Sequence, residues 1–94
     1  MDSIQNIEQL REYVQQTLCE RHALEPTQFP MVESILTRAG QPCGLYFCQH
    51  GPRLTRAHAV WDGERSVVAF YDDSGNRFHK VQLRHGPDPR RLAA

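Results

Sequence analysis

The sequence predicts an α+β domain: an N-terminal amphipathic helix packed on a curled antiparallel β-meander of four to five strands. Three observations carry that reading. Apolar residues recur every three or four positions up to Leu18, the period falls towards two after Pro30, and turn-forming clusters then break the chain at nearly regular intervals. With 94 residues, 39% of them hydrophobic and 23% charged, the composition is that of an ordinary globular chain and excludes disorder, collagen and coiled coil as whole-chain descriptions. A chain of this length encloses one core. The expected organisation is a single α+β domain over residues 1–83 and a flexible basic C-terminal tail over residues 84–94.

Ile4, Ile7, Leu10, Val14 and Leu18 form one apolar stripe at helical spacing, while Gln5, Glu8, Glu12 and Gln15 fall on the opposite side. Asp2 or Ser3 is placed to cap the first free amides, Glu8 suits the positive end of the helix dipole, and Arg21 with His22 suits the negative end. Pro26 closes the helix, and Glu25 to Pro30, with two prolines, reads as a connector. Strands are then expected at about 32–38, 43–49, 54–61, 66–72 and 77–83. Gly40-Gln41-Pro42, Gly51-Pro52, Asp62-Gly63 and Ser74-Gly75-Asn76 separate them. Connections this short join only antiparallel neighbours, because a parallel crossover takes a dozen residues or more. Met31 to Leu36 also suits a short helix, so residues 31–38 are strand or helix at this stage. From Arg84 onward two prolines and no apolar period predict the tail.

If the Gly51-Pro52 turn pairs Tyr46 with His58, Leu45 with Ala59 and Phe47 with Ala57, alternation sends Leu45, Phe47, Ala57, Ala59 and Trp61 to one side of the sheet. Val68, Phe70, Val81 and Leu83 extend this side, which is the expected core under the helix. The other side receives Tyr46, Cys48, His50, Arg56, His58, Val60, Val67, Ala69, Tyr71, Phe78 and Lys80. Its mixture of rings and cations is that of a surface that meets a partner, unless a curl of the sheet or the first strand covers it. The candidate binding residues are Tyr46, Arg56, His58, Tyr71, Phe78 and Lys80.

Cys43, Cys48 and His50, with His58 and His79, invite a zinc reading, but Cys43 and Cys48 are an odd number apart and point to opposite sides of one strand. Free thiols, no metal and no cofactor are expected. Cys48 with His58 is the candidate nucleophile and base of a thiol enzyme; no nucleophile motif accompanies them, and the expectation is no enzyme and no catalytic residue. Asp72 to Asn76 lacks the alternating acids of a calcium loop and reads as a turn. The net charge is zero but divided: residues 1–37 hold two bases and six acids, residues 38–94 nine bases and five acids. Such a division acts on partners and self-association rather than on fold. The functional expectation is a small non-enzymatic binding or assembly module working through protein–protein interaction or self-association on the aromatic and basic sheet face. Single-stranded nucleic acid on the same face is the alternative. No membrane partner is expected, since no apolar run is long enough to span a bilayer, and the cysteine usage and lack of an apolar leader place the chain in the cytoplasm.

Overall fold

A computed structural model describes residues 4–93. The chain forms one helix, α1 (Ile7–Arg21), followed by five strands, β1 (Met31–Arg38), β2 (Gln41–His50), β3 (Arg56–Asp62), β4 (Val67–Tyr71) and β5 (Arg77–Gln82). Every strand pairs antiparallel with its neighbours in sequence, giving one open sheet in the order β1-β2-β3-β4-β5. This is the expected α+β fold, and residues 31–38 are a strand. Short 3-10 turns lie at Pro52–Leu54 and Pro89–Ala93.

The helix starts later than the apolar stripe suggests. Asn6 is the cap: its side-chain oxygen accepts from the Gln9 amide at 2.8 Å, and the Gln9 side chain accepts from the Gln5 amide at 2.8 Å. Asp2 and Ser3, the caps expected from sequence, lie outside the described residues. Ile4 is buried although it precedes the helix. At the other end the Ala23 amide donates to the Glu20 carbonyl and the Leu24 amide to the Cys19 carbonyl, with Ala23 at φ 55°. These two bonds form a Schellman motif whose left-handed position is held by alanine rather than glycine.

Leu10, Val14 and Leu18 meet Leu45, Phe47, Ala57, Ala59, Trp61, Val68 and Phe70 in one core, and Tyr13 sets its ring edge-on to Phe70 at 5.8 Å. The predicted core side of the sheet is therefore the observed one. The register is not. Tyr46 pairs with Val60, Leu45 with Trp61, Phe47 with Ala59 and Cys48 with His58, two residues away from the pairing expected at the Gly51-Pro52 turn. The connection there is five residues long: the Gly51 amide donates to the Thr55 carbonyl, Thr55 donates from both its amide and its hydroxyl to the Pro52 carbonyl, and Arg53 and Leu54 both adopt positive φ. A shift of two preserves which side each residue faces, so the core assignment survived the error.

Gln49 is the one buried polar residue among those described. Its side-chain nitrogen donates to the carbonyls of Phe29, Pro30 and His50 at 3.0–3.3 Å, and its oxygen accepts from Gln15. One side chain thus ties the proline-rich connector to the sheet and the helix. At the C-terminus the sequence reading expects a loose tail, whereas the structure lays residues 87–92 against the domain. Pro87 is buried, Leu92 packs on the core from the helix side, and Pro89 sits on Gly63, where a Cβ would come within 2.6 Å of its ring. Asp88 caps this turn by accepting from the Arg90 amide, and the Arg90 side chain and amide hold its carboxyl below the usual carboxylate range. No apolar period announces such a docking, because it rests on two prolines and one leucine.

Candidate binding face

Because α1 and the C-terminal turn both pack on the core side, the opposite side of the sheet has no described element over it. The register arranges its residues in rows that run across the strands. One row is Val32, Cys48, His58, Tyr71 and Arg77; the next is Ser34, Tyr46, Val60, Ala69 and Lys80. Along each row the character changes from aliphatic or small at β1, through rings and small apolar residues in the middle strands, to cationic at β5. The first strand lies beside β2 and extends this face instead of covering it.

The centre of the face is a pair of rings. Tyr46 and His58 are diagonal neighbours on β2 and β3, stacked at 5.6 Å and 25°, and the tyrosine hydroxyl shares a hydrogen bond with His58 Nδ1. Both are half-buried, as is Tyr71, which stands opposite His58 on β4. Burial raises the Tyr46 phenol above its ordinary value, with the nearby Cys48 adding to the effect and Arg56 opposing it. Arg56 and Lys80 are exposed at the margins, and the Arg56 amide donates to the Asp73 carboxylate at 2.9 Å, which fixes the start of β3 against the β4–β5 turn. No family model, curated protein or solved structure matches this chain.

Five of the six candidate residues share this face. Phe78 does not. A bulge between Phe70 and Tyr71 in the β4–β5 pairing leaves Phe78 without a partner and turns its ring to the helix side. There it lies 6.1 Å from Phe70 and 6.0 Å from the His22 ring, with the Arg21 guanidinium 4.9 Å above it. Val32, Leu36 and Arg77 belong to the face and were missed. The β1 alternation is not clean, since Val32, Ser34 and Leu36 face one side while Glu33, Ile35 and Thr37 face the other, and neither set is uniformly apolar.

Cys48 stands directly opposite His58, as a thiol enzyme would need. Yet the thiol is buried, and desolvation, only partly opposed by Arg56, raises it above the ordinary thiol value. A raised thiol is a weaker source of thiolate at neutral pH, and the His58 Nδ1 is already engaged by Tyr46. All three cysteines are free, and no group of three or more metal-ligating side chains occurs among the described residues. The described helix is not long and apolar enough to cross a membrane.

Proposed function

We propose that the protein is a non-enzymatic binding or assembly module that receives a protein partner on the open face of its sheet. The observation that carries this reading is the Tyr46–His58–Tyr71 centre on a face over which no described element lies, bounded by aliphatic residues on β1 and by Arg77 and Lys80 on β5. Rings at the centre of a patch supply large contact area at small conformational cost, and tyrosine and arginine are the residues on which interface energies concentrate. The cationic margin favours a partner with acidic groups on one side of an apolar strip.

A photoreactive phenylalanine analogue placed at Tyr46 or Tyr71 should crosslink a defined protein in cells, while the same group at exposed Gln16 on α1 should not. The crosslinked protein, purified, should bind in solution. Tyr71→Ala and Arg56→Glu should each weaken that binding by roughly tenfold or more, consistent with loss of an interface anchor. Affinity for the partner should change modestly with salt, whereas counterion release would make binding of an oligonucleotide collapse as salt rises. Adducts formed equally from α1, or a steep salt dependence with single-stranded nucleic acid, would remove the reading.

A further inference from the structure

The two edges of the sheet are built differently. On β5 the exposed side chains include Arg77 and Lys80, the strand is bulged beside Phe78, and the Gln82 side chain folds back to the carbonyls of Arg65 and Ser66. Cations and bulges of this kind keep an edge from pairing with another chain. The β1 edge carries neither device over Met31 to Leu36. It contains no proline or lysine, its charge at Glu33 is drawn inward by a bidentate pair with Arg11 on α1 at 2.7 and 2.8 Å, and its pairing with β2 stays regular through Leu36. Three large hydrophobic side chains are notably exposed among the described residues, and two of them, Val32 at 51% and Ile35 at 49%, are on this strand.

The backbone of β1 is set for pairing as well. The His50 amide donates to the Pro30 carbonyl, which fixes the phase of the ladder: Val32, Ser34 and Leu36 direct their main-chain groups to β2, and Met31, Glu33 and Ile35 direct theirs outward. We propose that this edge pairs antiparallel with β1 of a second copy of the chain, about a two-fold axis at Ile35, joining two five-stranded sheets into one. In that register Ile35 covers Ile35 of the second copy, and Val32 lies along the aliphatic stem of its Arg38. Glu33 stands opposite the neutral Thr37 of the second copy, whereas parallel pairing in register would set Glu33 against Glu33. This self-complementarity is what favours a second copy over an unrelated strand. The two open faces become one continuous surface, with the aliphatic rows of β1 at its middle and a cationic margin at each end.

Sedimentation of the purified chain over a dilution series should show a species of twice the 10.8 kDa chain mass that dissociates on dilution. Ile35→Lys, which puts a charge on the exposed edge without disturbing the core, should weaken that association by roughly tenfold or more while leaving the helix and sheet signal and the melting temperature of the dilute chain unchanged. Tyr71→Ala, on the open face, should leave the dimer intact. A chain monomeric at every concentration overturns the inference, as does a dimer that survives Ile35→Lys or is lost in Tyr71→Ala. Since Ile35 lies on the helix side, an Ile35→Lys chain keeps the open face, so failure here and failure of the binding-face reading are read from different variants.

Discussion

Trp61 is fully enclosed between the helix and the sheet, and its ring nitrogen has no hydrogen-bond partner among the described residues. It is held by contact area alone. Trp61→Ala should cost about 3 to 5 kcal/mol of unfolding free energy, measured by denaturant titration, because the surrounding side chains fill such a cavity only in part. The titratable residues make a second statement. Burial raises the Cys19 and Cys48 thiols above 9.0 and the Tyr13 and Tyr46 phenols above 10.0. The folded chain thus holds these protons more tightly than the unfolded one. Their contribution is fully present below about pH 9 and is lost as pH rises through the raised values. Urea midpoints should be level at neutral pH and fall on the alkaline side, and Cys19→Ala with Cys48→Ala should flatten the decline. Sequence alone places these side chains only by their strand or helix parity. Parity located Trp61 in the core, but it could not show that Cys48 is enclosed on the open face.

Elements and the places where they join were legible wherever a period or a turn former expressed them, but the length and backbone geometry of some junctions were not. The helix stripe and the alternation of β3 and β4 follow directly from the spacing of apolar residues, which is why α1 and the core side of the sheet were read correctly. What escaped were the details that backbone geometry sets at two junctions. The five-residue loop that moved the β2–β3 register depends on positive φ at Arg53 and Leu54, and neither residue type signals that conformation. The bulge that removed Phe78 from the open face arises from pairing between β4 and β5, so the local pattern of β5 carries no trace of it. The end of α1 shows the same thing in a form that can be tested. Ala23 occupies a left-handed position for which glycine is the common residue, and its Cβ costs energy there. Ala23→Gly should stabilise the chain by about 1 kcal/mol, seen as a higher melting temperature, in place of the loss that glycine brings in a helix interior.

At the scale of the molecule, a helix followed by sequential antiparallel strands places the strand pairings between neighbours in the chain, so one face of the sheet carries the core while no described element lies over the other. The proposed binding surface derives from that asymmetry, and the proposed pairing from the open edge of the same sheet. A groove beside the start of α1 is lined by Asn6, Ile7, Glu8 and Arg11 together with Arg91 and Leu92, and a neighbouring one by Gln5, Pro87 and Asp88. The segment leading into α1 and the C-terminal turn therefore meet on the core side, away from the open face. A linker joining the segments that flank these grooves would close the backbone into a ring with little rearrangement, and the exposed turn at Gly75, where an added Cβ meets nothing within 4 Å, offers a place to cut it. A circular permutant starting at Gly75 should fold with the same helix and sheet signal, with β5 brought ahead of the helix and the Tyr46–His58–Tyr71 surface unobstructed by either new end.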